Sequence, residues 1–194
     1  MSVDLGLLAA RVERGDTAAF RAIVDHTRAK LFRLAARIVG DLADAEDALQ
    51  DGYVNAYRAL SGRTWDHRSR LETWLYRIVT NACIDLLRKR KEGAAPTSAS
   101  EPRFDGMVSA EARVALRELD AQLSTLAPQD RAALVLVAVE GLSARAAAEA
   151  LGCSEGAVEQ RIVRARATLR QLGGAPSAGG APSPPKNPKE GAAE

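Results

Sequence analysis

Apolar residues recur along this chain at steps of three and four, the spacing that lines one face of an α-helix, and strand-like alternation is nearly absent. From Asp16, a residue type that caps helix starts, Phe20, Ile23, Val24, Thr27, Leu31, Leu34, Ala35 and Ile38 form one stripe that Gly40 ends. Leu42, Ala45, Leu49, Tyr53, Ala56 and Leu60 repeat the pattern, and Leu71, Trp74, Leu75, Ile78, Ala82 and Leu86 make a third face that extends to about Lys91. A short helix is expected before Gly15. Residues 93–108, "GAAPTSASEPRFDGMV", read as a linker because they are poor in apolar residues and contain two prolines. After it the pattern predicts a helix through about Leu126, one beginning near Pro128 that is apolar nearly all round and therefore buried, a short alanine-rich helix capped by Ser143, and a last helix capped by Ser154. From Gly173 onward the glycine- and proline-rich tail buries too little to offset its ordering entropy. The expected fold is all-α: a three- to four-helix bundle (1–92), a flexible linker (93–108), a helix-turn-helix domain (109–173) and a disordered tail (174–194).

Composition changes this picture little. The chain has 194 residues, 46% hydrophobic, and 27 basic against 25 acidic residues, so net charge alone points to no partner. Distribution is more informative: Asp41, Asp44, Glu46, Asp47 and Asp51 have no base among them, whereas Arg88 to Lys91 is wholly basic. Cys83 and Cys153 lack metal-ligand spacing, no run approaches membrane-spanning length, and no signal-peptide pattern opens the chain, so the expectation is a cytoplasmic protein without cofactor, metal or small-molecule substrate. No nucleophile with an adjacent base and no phosphate-binding glycine loop occurs, which argues against an enzyme.

Three surfaces carry candidate chemistry. On the second long helix Asp44, Asp47, Asp51 and Asn55 align opposite the apolar stripe; like charges at this spacing repel, so a basic partner would relieve the face. On the third, Arg77, Asn81 and Arg88 share a donor-rich face with Thr73, Thr80 and Lys91, and the preceding loop adds Arg63, Trp65, His67, Arg68 and Arg70, a set suited to a nucleic-acid backbone and unstacked bases. Trp65 fits either a core anchor or a pocket for an extruded base. On the last helix Val158, Ile162, Ala165, Leu169 and Leu172 should face the core, which leaves Gly156, Gln160, Val163, Arg164 and Ala167 outward with Arg161, Arg166 and Arg170 flanking. Small residues at its start, Gly156 and Ala157, let such a helix enter a major groove, where Gln and Arg hydrogen-bond base edges and phosphates.

The runs "DAEDALQDGYVNAYR", "WLYRIVTNACIDLLRKRK" and "LSTLAPQDRAALVLVAVEGLSARAAAEALGCSEGAVEQRIVRARATLR" resemble, in order and spacing over residues 16–172, the two modules of an extracytoplasmic-function sigma factor. The resemblance implies a subunit that docks on core RNA polymerase, reads the minus-ten and minus-thirty-five promoter elements, helps open promoter DNA and is held in check by an anti-sigma factor. Asp47, Gln50 and Asp51 match the family's polymerase contact; Asn81, Asp85 and Arg88 match its minus-ten motif; the loop from Ser61 to Ser69 corresponds to the segment that captures a flipped non-template base. Glu159, Gln160, Val163 and Arg164 occupy the recognition-helix positions. Glu159 stands where the family usually has Lys or Arg, and Arg145 to Ala148 reads "RAAA" in place of "EEIA". A stand-alone helix-turn-helix regulator and a protein-binding helical scaffold are the alternatives.

Overall fold

The computed structural model describes residues 3–91, 118 and 121–173; the expected linker and tail fall outside them. Every regular element among the described residues is helical. In the first module α1 (Leu5–Val12), α2 (Thr17–Val39), α3 (Leu42–Ser61) and α4 (Leu71–Lys91) pack as a bundle. The starts of α1, α2 and α3 follow from acidic caps: Asp4 accepts from the Gly6 and Leu7 amides, Asp16 from Ala19 and Asp41 from Asp44. Arg11 also clamps Asp16 through Nε and Nη2 at 2.9 and 2.7 Å, and that guanidinium holds the Asp16 carboxyl below the usual range.

The bundle core is aliphatic. Ile23, Leu34, Ile38, Leu49, Leu60, Leu75 and Val79 are fully buried, and Cys83 is among them, its thiol pushed up to about 12 by burial. Helices α3 and α4 approach so closely that a side chain at Gly52 would meet Val79 Cγ2 at 2.9 Å, so only glycine fits there.

In the second module residues 121–124 are the described end of a helix; α5 (Pro128–Leu134) then widens into a π-helical stretch, Val135–Val139, before α6 (Ala144–Leu151) and α7 (Glu155–Gly173). Ser143 caps α6 through the Ala146 amide, and Gly152 supplies the left-handed residue of the turn into α7. Not all of the apolar run is buried as expected: the widening turns Val139 out to 50% exposure. Leu172, expected to face inward, is 51% exposed.

The modules share one continuous hydrophobic cluster, α6 lying on α4 and α5 against α2 and α4. Arg131 is 2% exposed and donates from Nε to the Arg37 carbonyl at 2.9 Å, satisfying an orphan acceptor in the last turn of α2. Its guanidinium also crosses Gly40, where a Cβ would lie 3.0 Å from Nη2 and where φ is 82°. Glu140, at the end of the π-helical stretch, accepts from Arg37 Nη1 at 2.7 Å and from the Tyr76 hydroxyl at 3.3 Å.

Candidate nucleic-acid and polymerase interfaces

Helix α3 carries the acidic face, and its observed membership differs from the expected one. Asp47, Gln50, Asp51 and Asn55 are exposed together. Asp44 is not: it is 8% exposed and pairs with Arg90 from α4, so it ties the two helices instead of joining the solvent face. A buried carboxylate is stable only when paired, and Arg90 supplies the partner. Glu46 is likewise engaged, by Arg28 at 2.6 Å. The uncompensated charge therefore narrows to Asp47 and Asp51.

Beside that face lies an apolar groove between α2 and α3. Phe20 packs edge-on against Tyr53 and Tyr57 with ring centroids 6.3 and 5.0 Å apart, and Val54 and Tyr57 remain 40% and 37% exposed. Tyr53 is fixed by Thr27, its hydroxyl 2.8 Å from Oγ1, and burial raises its pKa. Sequence reasoning missed this groove. The available signal was an exposed Val54 and Tyr57 three apart, on the side of Gln50 rather than on the core stripe.

On α4, Arg77, Asn81, Asp85 and Arg88 are exposed, with Arg88 Nη1 3.9 Å from Asp85 Oδ1. Thr80, expected among them, is fully buried because its position rotates toward the bundle, and Thr73 is half-buried. Lys91 ends the helix, and its side chain lies outside the described residues. Trp65 resolves toward the core: it is 6% exposed, 4.1 Å from the His67 ring and 5.7 Å from Trp74. Arg63 is exposed in a left-handed backbone conformation, φ 52°, with its Nε 3.2 Å from the Glu13 carbonyl oxygen.

At the start of α7 Ser154 accepts from the Ala157 amide at 3.2 Å, and a side chain at Gly156 would meet nothing within 4 Å, so the helix tip is open to close approach. Glu159, Gln160, Val163 and Arg164 are exposed, Val163 by 67%, while Ala157 is half-buried. The two arginines are not free agents. Arg164 forks onto Asp130 through Nε and Nη2 at 3.1 and 2.9 Å, a pairing that raises its pKa further. Arg161 is half-buried, donating to Cys153 Sγ and Gln129 Oε1 at 3.2 Å each. The start of α5 thus sets the direction of both guanidinium groups, and Glu159, Gln160 and Val163 are left as the unengaged side chains of that face.

The two donor-bearing surfaces meet. Asn55, Arg77 and Asn81 line one wall of a cleft of about 930 Å³, and Gly152, Cys153, Ser154 and Glu155 line the other. No helix among the described residues is long and apolar enough to cross a membrane.

A helical bundle with an exposed acidic face and a donor-rich helix, packed against a helix-turn-helix, is a two-module helical protein with candidate protein- and DNA-facing surfaces. Residues 23–92 match sigma-70 region 2, and residues 116–169 match sigma-70 region 4. The ECF RNA polymerase sigma factor SigM of Mycobacterium tuberculosis (strain ATCC 25618 / H37Rv) is 38% identical over 172 residues, 87% of this chain and 84% of SigM. SigW of Bacillus subtilis (strain 168) is 32% identical, covering 83% of this chain and 92% of its own. Among solved structures, CnrH in complex with the cytosolic domain of CnrY superposes with a TM-score of 0.65 at 33% identity, over 90% of this chain and 99% of that one. The sigma factor RpoE in complex with the anti-sigma factor NepR from Bartonella quintana does so at 0.61 and 25% identity, over 79% and 95%. The chain belongs to the extracytoplasmic-function family of RNA polymerase sigma factors.

Proposed function

We propose that this protein is a non-catalytic initiation subunit that binds core RNA polymerase through α3 and directs it to promoters through α4 and α7. The observation that carries the reading is the polar asymmetry of the bundle: α3 presents Asp47, Gln50, Asp51 and Asn55, while α4 and its preceding loop present Arg68, Arg77, Asn81 and Arg88. An acidic face repels DNA and attracts a basic protein surface, so the two helices serve different partners. Gln50 and the exposed Val54 and Tyr57 extend the acidic face with apolar contact area, which supplies affinity where the carboxylates supply orientation.

The donors on α4 and the α3–α4 loop fit an unpaired minus-ten strand, with Arg88 on its backbone and Asn81 and Arg77 nearer its bases. On α7, Gln160 and Val163 suit an adenine edge and a thymine methyl, and Glu159 can accept from cytosine N4. Arg164 and Arg161, held by Asp130 and Gln129, serve phosphates better than bases.

Two promoter elements about 25 base pairs apart lie roughly 85 Å apart on B-form DNA at 3.4 Å per pair. One cleft cannot span that distance, so promoter engagement requires the modules to part from the arrangement described. An anti-sigma protein that keeps them together would silence the factor, and the complex of RpoE with the anti-sigma factor NepR supports that control. Run-off transcription with purified core polymerase on a genomic promoter library tests the function. Discrete transcripts that depend on this chain are expected; none from any template would refute it.

A further inference from the structure

The α3–α4 loop contains two non-glycine residues with left-handed backbone, Arg63 at φ 52° and His67 at φ 56°, and no others occur among the described residues. An L residue adopts this conformation at an energetic cost, so it persists where the surroundings impose it. Both residues contact Glu13, Arg63 through the Glu13 backbone and His67 through its side chain. Arg63 Nε donates to the Glu13 carbonyl oxygen at 3.2 Å, and His67 Nε2 lies 3.0 Å from Glu13 Oε1. The Glu13 side chain is 17% exposed and stands at the C-terminal cap of α1, a helix with its own buried face of Leu8, Ala9 and Val12. The His67 ring in turn covers Trp65, which packs toward Trp74 on α4. A line of contacts therefore runs from α1 through Glu13 and His67 to the base of α4.

That line shapes the residues between its anchor points. Thr64, Asp66 and Arg68 lie in or beside the two strained positions and border the same cleft as Arg77 and Asn81. We propose that Glu13 is a positioning residue for single-strand capture: with its carboxylate against His67 and its backbone carbonyl on Arg63, it holds the loop from outside in the shape that receives the unpaired non-template strand. Glu13 lies before residue 23, where the match to sigma-70 region 2 begins, and nothing in the DNA-facing surfaces described above assigns α1 a part. The inference rests on the reading of this loop as the minus-ten strand receptor. The physical gain is preorganisation, since a loop already held in its receiving shape has less conformational freedom to lose when the strand enters.

The test uses holoenzyme assembled with the full chain and a fluorescent single-stranded oligonucleotide carrying the non-template minus-ten sequence of a promoter found by run-off transcription. Glu13→Ala is expected to weaken strand binding about tenfold by removing the carboxylate that packs against His67 and freeing the loop, while affinity for core polymerase and for the minus-thirty-five duplex stays at the wild-type level. Glu13→Gln keeps an acceptor for His67 and should recover most of the binding. His67→Ala should weaken it too, and the Glu13→Ala/His67→Ala double variant should be no worse than the poorer single one, because the two act as a unit. Wild-type strand binding by Glu13→Ala would overturn the inference, as would an equal loss of strand, core and duplex affinity, which marks simple destabilisation. Failure of the wild-type holoenzyme to bind the strand would instead overturn the loop's assignment, and the inference with it.

Discussion

In the first module six large aliphatic side chains, Ile23, Leu34, Ile38, Leu49, Leu60 and Leu75, are fully buried alongside Ala9, Ala19, Ala35, Ala45, Ala48 and Ala56. In the second, Val135, Leu136 and Val158 stand among Ala132, Ala133, Ala147, Ala150 and Ala165, and Leu123, Leu126 and Ala165 form only a small separate cluster. Hydrophobic stabilisation scales with apolar area removed from water, so the bundle can hold itself together while the helix-turn-helix module gains part of its burial from α2 and α4. The polar contacts repeat the asymmetry. Arg131 and Glu140 of the second module reach back to the end of α2 and to Tyr76, and both engage Arg37. The helix-turn-helix module, proposed above to read duplex DNA, is thus also the one whose seat is shared, which on that proposal suits a part that changes partners between the free and promoter-bound states.

Substitutions in the two modules should differ in both size and signature. Leu34→Ala should have the largest effect, lowering stability by about 2–5 kcal/mol in chemical denaturation and abolishing both polymerase and DNA binding. Arg131→Ala removes the contact with Arg37 and should cost about 1–3 kcal/mol. Its signature differs, since α1 to α4 should melt as before while small-angle scattering shows a larger particle. Glu140→Ala should cost about 1 kcal/mol or less, because Arg37 is 41% exposed and water screens the pair. The distance between labels on α4 and α6 should nevertheless broaden. Smallest in energy is thiol labelling. Cys83, buried and held protonated by a pKa pushed up to about 12, should resist alkylation at neutral pH until the chain unfolds, whereas the half-buried Cys153 should react in the native state. Raising the pH above the ordinary thiol range should weaken the fold through Cys83, since the unfolded chain then ionises while the folded thiol stays neutral.

Much of this was legible in the amino-acid order because local rules decide it. Asp16, Gly40, Ser143, Gly152 and Ser154 mark helix ends by chemistry that acts within one turn, and the structure places caps or turns at each. The misplacements share another cause. A helical wheel puts Asp44 and Thr80 on polar faces, yet Arg90 pulls Asp44 inward and the bundle closes over Thr80. Arg164 looked free until Asp130 from another helix claimed it. Neither the left-handed Arg63 and His67 nor their common anchor Glu13 carries a composition signal, since these residue types give no warning of positive φ. Long-range partners are what periodicity cannot see.

On the proposed function, the exposed carboxylates of α3 meet a basic surface of core polymerase. Retention of core RNA polymerase by the immobilised chain, compared with that by an Asp47→Arg/Asp51→Arg variant, tests it most directly. Wild type should retain the enzyme and the variant should not, with promoter-duplex binding by α7 unaltered; equal retention by both would contradict the account.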